Sequence, residues 1–508
     1  MQKILNNYKV MALASGLFTF IAMLAYTNFL LGWICFVPLF MALQNRLSKK
    51  CFKAGLIFGL AIAIPSFYWM IAGAQKFTGN NGMYGYVVLI ISSIILSLYF
   101  GSINYCFSIL RIKKGFKFSF LFNALLIACV YVTSEAMLMY LSKYLPWFGF
   151  HSGNSLMDNV YTIQFASVFG IHGMSFIIVF VNYLIAGFIV NKQWLRLSIP
   201  AGVIIIYLLS GYFLYQNFES KTTSDKPVKV AILNGNIPSE LRWNDSNGKQ
   251  LVENLLGLDR EATALKPDIA LWNESAVPWT YRPNDDLVNE ILKISAPAHI
   301  THMLGINSDY QENDVYNSVY ELLPNGKIAG RYDKRILLAF IEQPFAGLIF
   351  PFLSTGGYVV KSGENNHPLN TPYGSAGIMI CNESSVPDAA SSMANNGARF
   401  LLNLSNDGWF SSTYIADLHF YNVRMRAVET RKDIAFNSNE GFSGLIKASG
   451  EIIMKERSND PFVKMVTVQP NNYTSLAATN PMIFVYCCAV FIACIIAIKF
   501  TKKIALKG

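Results

Sequence analysis

The chain has 508 residues, of which 53% are hydrophobic and only 14% charged, and its mean hydropathy is positive at +0.34, which excludes an ordinary soluble protein and calls for membrane spans. The net charge of +10 would suggest a nucleic-acid partner if it lay on a soluble domain. It does not: residues 1–215 and 481–508 together hold 18 Lys/Arg against 2 acidic residues, whereas 216–480 hold 23 against 29, so the basic excess belongs to the apolar part and nucleic acid is excluded as a motivated reading.

In chain order, apolar runs long enough to cross about 30 Å of hydrocarbon as helices fall at roughly 8–25, 27–44, 54–73, 84–110, 119–142, 161–190 and 196–215, with an eighth at 481–499. Aromatic residues such as Tyr26, Trp33, Tyr84, Tyr140 and Trp147 mark their ends, as interfacial belts do. The first run passes almost directly into the second without a small-residue cleavage site, so it reads as a retained anchor rather than a signal peptide. Glu135 is the one acidic residue placed inside a span. An intramembrane carboxylate is costly and faces protein or water; it reads as a hydrogen-bond partner within the bundle or as a group beside a lipid entry path, with the former the usual outcome. Basic residues gather in alternate loops: Lys3 and Lys9, then Arg46 to Lys53, Arg111 to Lys117, Lys192 with Arg196, and Lys499 to Lys507. The positive-inside rule then puts both termini in the cytoplasm and residues 216–480 on the opposite face, periplasmic or external in a bacterium.

A polar linker, 216–227, leads into the exported part. Strand-like runs start at Val228, Asp268, Ala376 and Ala398, a helix is expected over about 247–265, and a hairpin is signalled where Pro324-Asn325-Gly326 separates two alternating runs. Apolar strands separated by amphipathic helices indicate an α/β sandwich. The six histidines are scattered, and the close pair His299 and His302 has no partner at zinc-site spacing. No metal or other cofactor is called for.

Cys381 is the only cysteine in 216–480; the other seven lie in or beside apolar segments. No disulfide can form within this part, and a solitary thiol at the polar end of an apolar run is where a fold places a nucleophile. Taken singly, Cys381 reads as a buried structural thiol, and Glu274, Lys334 and Glu342 as solvated charges. Together they would supply a nucleophile, a base and a cation from separate strand ends. The stretch Pro344 to Leu353 is apolar and aromatic but punctuated by proline and glycine; it reads as a buried loop or as a lid whose Phe350 and Phe352 dip into lipid.

The ordered set Trp272-Asn273-Glu274, Tyr332-Asp333-Lys334 and Ile380-Cys381-Asn382-Glu383 resembles the Glu-Lys-Cys nitrilase superfamily. Its insertion between a seventh and an eighth span resembles the bacterial apolipoprotein N-acyltransferase family. Gly235-Asn236-Ile237-Pro238 with Trp243, Asn406 to Phe410, and Arg424 to Thr430 match as well. The resemblance implies a polytopic α-helical membrane bundle of about eight spans (1–215, seven helices, and 481–508, a helix with a basic tail) with an inserted nitrilase-like αββα sandwich (216–480). It implies an enzyme of lipoprotein maturation in the bacterial cytoplasmic membrane. A phospholipid would leave an acyl chain on Cys381 as a thioester, and the N-terminal amine of a diacylglyceryl apolipoprotein would take it. Glu274 would be the base, Lys334 and the Asn382 N–H would hold the oxyanion, Glu342 and Glu383 would orient the lysine or relay protons, and Trp243, Trp409, Phe350 and Phe352 would face substrate. The chain departs from the family's pattern at Asn273, Arg335-Ile336, Ala339 to Ile341 and Asn382. Two other readings use the same residues: a membrane-tethered amidase or nitrilase with water as acceptor, and a non-catalytic lipoprotein-binding scaffold.

Overall fold

The computed structural model describes residues 7–24, 28–44, 46–78, 82–112, 118–221, 225–239, 241, 243–311, 314–339, 341–343, 359–410 and 412–505. Phe350 and Phe352, the expected lid residues, lie outside them. Among the described residues five helices are long and apolar enough to cross a membrane: Ser48–Lys76, Met83–Leu110, Ser119–Leu141, Thr162–Val190 and Trp194–Glu219. Tyr8–Met23, Phe29–Leu43 and Ile483–Lys499 are shorter apolar helices. The expected span at 27–44 is divided into a 3₁₀ turn, Phe29–Trp33, and a helix, Val37–Leu43. Pro38 sits in the first turn of the second piece, where its missing N–H is harmless, whereas inside one continuous helix it would break a hydrogen bond.

Residues 228–468 form two sheets faced by helices. In the first, the path runs Phe462–Val468, Val228–Asn234, Ile269–Trp272, Thr301–Gln311, Asp314–Leu322 and Ile328–Asp333, with Val277–Thr280 and Val359–Val360 paired off it. In the second it runs Ile452–Arg457, Phe442–Ile446, Ile434–Asn439, Phe400–Asn406, Gly374–Ile380 and Leu369–Thr371. Two of the strands that precede candidate residues have parallel neighbours, Ile269–Trp272 beside Val228–Asn234 and Gly374–Ile380 beside Phe400–Asn406, whereas Ile328–Asp333 pairs antiparallel with Asp314–Leu322. A strand buried on both faces reads as a continuous apolar run, and Val230-Ala231-Ile232-Leu233 is one. Val230 and Ile232 belong to the inter-sheet core with Ile378, Ile380, Leu402 and Leu404. Ala231 and Leu233 face outward against Leu255 and Leu258 of the Gly248–Leu265 helix.

The sandwich is seated on the bundle by the helix Tyr414–Thr430, which is buried on nearly every side. Its Arg424 donates to the carbonyls of Met157 and Asp158 at 2.9 and 2.8 Å. Gly170 interrupts the Ala166–Val190 helix with a φ of +63° that favours glycine, and the Ile171 N–H exposed just after the break donates to Glu429 at 3.0 Å. Arg431, just past the helix, donates to Gln164 and Ser167. Glu135 accepts from the N–H and hydroxyl of Ser152 at 2.9 and 2.6 Å, a hydrogen-bonded role within the bundle.

Candidate active site

Three strand ends deliver the candidate triad. Glu274 follows Ile269–Trp272, Lys334 follows Ile328–Asp333, and Cys381 follows Gly374–Ile380. Cys381 opens a short 3₁₀ turn, Cys381–Ser385, with a φ of +52°. That left-handed conformation is costly for a residue with a β-carbon and persists only where surrounding structure fixes it.

The Lys334 ammonium, 1% exposed, lies between two carboxylates: 2.9 Å from Glu342 Oε1 and 3.4 Å from Glu274 Oε1. Asn317 donates to Glu274 Oε1 at 2.8 Å and reaches Glu342 Oε1 at 3.5 Å. The other Glu342 oxygen accepts the Leu338 N–H at 2.7 Å, so that carboxylate is held from both ends. Burial works against the Lys334 charge, but Glu342 and Glu274 outweigh it and hold the amine well above its usual range. Glu274 is pushed up, first by burial and further by Glu342, while Lys334 and Asn317 pull it down. Burial pushes the Cys381 thiol up as well, Glu274 adds to the shift, and Lys334 opposes it. The resting pair is therefore a thiol facing a carboxylate whose basicity is raised, the arrangement for general-base activation of a nucleophile.

Glu383 reaches the lysine through its backbone neighbours. No hydrogen bond joins it to Lys334. It accepts from the Tyr332 hydroxyl and from the N–H groups of Arg335, Ile336 and Ile380, and it is fully buried. Its charge thus ties the loop after Lys334 to the strand before Cys381, fixing the lysine through its backbone neighbours. Asn382 donates its side-chain amide to the Ile336 carbonyl at 3.0 Å and adds a second tie between the same segments.

Two cavities meet at Cys381. One, about 150 Å³, is mostly apolar and is lined by Phe20, Met23 and Trp69 of the membrane bundle together with Ile415 and Leu418. The other, about 300 Å³, is lined by Glu274, Lys334, Glu342, Asn317, Asn439 and Trp243. Trp409 and Phe410 border both. Trp243 packs edge-on against Trp279 at 5.5 Å. No cluster of three or more metal-ligating side chains occurs among the described residues; His302 is instead buried between Trp272 and Ser295.

Sequence reasoning missed three neighbours of the triad. Asn317, mid-strand, carries no local signal. Asp407 stood within a recognised stretch without a role. His419 was one of six scattered histidines, yet its ring lies behind Cys381, with Nδ1 2.8 Å from Asp407 and Nε2 3.1 Å from the Cys381 carbonyl oxygen.

Two helix-faced sheets, with glutamate, lysine and cysteine converging from three strand ends above apolar helices, define a membrane-embedded protein of carbon–nitrogen hydrolase fold. Residues 229–476 match the carbon-nitrogen hydrolase family, and residues 15–184 match the apolipoprotein N-acyltransferase N-terminal domain. Over most of its length the chain is similar to apolipoprotein N-acyltransferases. The apolipoprotein N-acyltransferase of Geobacter metallireducens is 26% identical over 437 residues, 83% of this chain and 82% of that protein. Those of Thermotoga maritima (25% over 458 residues, 87% and 84%) and Borreliella burgdorferi (26% over 463 residues, 84% and 82%) are similar over comparable lengths.

Proposed function

We propose that this protein transfers an acyl chain from a membrane phospholipid to the N-terminal amine of a diacylglyceryl-cysteine on an apolipoprotein, through a thioester on Cys381. The observation that carries the reading is the placement of Cys381 where the Glu274–Lys334–Glu342 cluster meets an apolar cavity walled by bundle residues Phe20, Met23 and Trp69. A soluble amide substrate has no use for such a wall; an acyl chain has.

In the first half-reaction Glu274 takes the Cys381 proton as sulfur attacks the ester carbonyl. Lys334 and the Asn382 N–H receive the oxyanion, and a preorganised donor of this kind is worth about 3 kcal/mol. The ester C–O bond breaks, Glu274 returns its proton to the leaving oxygen, and lysophospholipid departs. In the second, Glu274 accepts a proton from the incoming amine, nitrogen attacks the thioester, the C–S bond breaks, and the proton goes back to sulfur. Glu342 holds the ammonium in place throughout. The apolar cavity takes the acyl chain, and the polar cavity beside Trp243 admits the peptide end of the acceptor. The alternation of basic loops supports a cytoplasmic-membrane location with the sandwich on the outer face.

The test is the intact mass of the purified protein after incubation with phospholipid vesicles, for wild type and Cys381→Ser, before and after hydroxylamine. A hydroxylamine-labile acyl adduct that requires Cys381 is expected. Release of small amides by an enzyme that never acquires an adduct from lipid would replace this reading with a tethered hydrolase.

A further inference from the structure

Against the Cys381 carbonyl, a chain of polar groups has no part in the mechanism above. His419, on the Tyr414–Thr430 helix, is buried. Its Nδ1 meets Asp407 Oδ1 at 2.8 Å, and that oxygen also accepts from the Ser405 hydroxyl at 2.8 Å. Its Nε2 meets Ser384 Oγ at 2.8 Å and the Cys381 carbonyl oxygen at 3.1 Å, and the Ser384 hydroxyl donates to the same carbonyl at 3.0 Å. The order Ser-His-Asp mimics a hydrolase triad. Ser384, however, is fully buried and its proton is committed to a carbonyl, so it is no nucleophile.

The donor count fixes the ring's protonation. A carbonyl oxygen can only accept, and Ser384 has given its proton to that carbonyl, so Nε2 must carry hydrogen. The Asp407 carboxylate can only accept, so the Nδ1 that meets it carries hydrogen too. Burial alone would push the ring down, but Asp407 and the Cys381 carbonyl hold it above the usual histidine range. The titratable groups that act on it are Asp407 and, farther off, Glu274.

We propose that His419 is a positioning residue held as an imidazolium, and that it acts through the Cys381–Asn382 peptide. The carbonyl it binds and the Asn382 N–H belong to one peptide unit. Withdrawing electron density at the oxygen polarises the N–H on the other side, because linked hydrogen bonds strengthen one another. The same bond helps fix the left-handed backbone of Cys381. This inference rests on the thioester reading, since it concerns the donor assigned there to the oxyanion.

The experiment compares two reactions of one sulfur in full-length protein: thioester formation from phospholipid vesicles, which develops an oxyanion, and alkylation by iodoacetamide, which displaces iodide and develops none. Both are followed by mass at the Cys381 peptide. For His419→Ala, acylation is expected to slow about 10²-fold, the order of one oxyanion donor, with the lipid concentration for half-maximal rate and the alkylation rate little changed. His419→Gln, which keeps an N–H donor without the charge, should fall between, and it serves if the alanine variant does not fold. Acylation and alkylation falling together would mean that the thiol itself was disturbed and would overturn the proposal, as would no change in either. If wild type alkylates but never forms a thioester, the acyl-transfer reading has failed and this inference falls with it.

Discussion

Glu342→Gln separates the electrostatic from the steric role of the carboxylate pair. Both carboxylate oxygens touch the same Lys334 Nζ, so they lie within about 6 Å of each other. Two unit charges at about 6 Å in an effective dielectric of about 20 repel by about 2.8 kcal/mol, which is about 2 pH units of base strength. Glu342 is among the groups that raise Glu274, so removing its charge lowers the Glu274 pKa. Released from Glu342, Lys334 also moves toward Glu274 and lowers it further. In the proposed mechanism Glu274 serves as a base only when ionised, and activity is lost as pH falls through its pKa. The acid limb of the kcat/KM profile, which reports the free enzyme, should therefore shift to lower pH by about 2 units, while a weaker base lowers the plateau. The assay is the initial rate of acyl transfer at limiting phospholipid, over the pH range in which both proteins remain folded. An acid limb that stays in place or moves upward would refute the assigned coupling between Glu342 and Glu274.

Lys334→Met should reduce thioester formation by about 10²-fold or more. It should also destabilise the protein by about 3–5 kcal/mol, because Glu274 and Glu342 are left facing each other without a cation; thermal unfolding in detergent measures the second effect, and adding Glu342→Gln should restore stability without activity. Glu383→Gln turns an amide N–H₂ toward donors that now share the carboxylate. One donor left unsatisfied costs about 1–3 kcal/mol, so the melting temperature should fall, and a variant as stable as wild type would contradict the clamp assigned to Glu383. Leu418→Trp, on the wall of the apolar cavity, should raise the KM for long-chain donors and leave alkylation of Cys381 unchanged; equal loss for short and long chains would argue that the chain lies elsewhere.

The sandwich was legible in the sequence because its central strands are buried on both faces and read as unbroken apolar runs, as Val230 to Leu233 and Ile378 to Ile380 do. The hairpin at Pro324-Asn325-Gly326 was legible from its turn, and it forms between Asp314–Leu322 and Ile328–Asp333. Cys381 stood out because polar residues abruptly follow an apolar strand. The count of spans was harder to read: hydropathy sees Phe29 to Leu43 as one apolar run but is blind to the restart at Pro38. Glu383 was read as orienting the lysine or relaying protons; only the fold reveals that backbone N–H groups from two segments consume its lone pairs. Asn317 and His419 gave no signal at all, since each reaches the site from an element far away in sequence through one side chain.

The sandwich begins and ends on adjacent antiparallel strands, with Val228 opposite Val468. The two points where the chain leaves the sheet are therefore side by side, and some 240 residues intervene without spreading the membrane helices on either flank. To the bundle, the whole sandwich is a loop with closed ends. The same geometry sets an order of assembly on a ribosome. Val228–Asn234 emerges early, but its outer neighbour Phe462–Val468 arrives only after nearly all the rest of the domain, and until then an apolar edge stays open to other strands. A nascent chain stalled before residue 462 would expose that edge, which makes the interval before Phe462–Val468 emerges the one in which this protein most needs protection from aggregation.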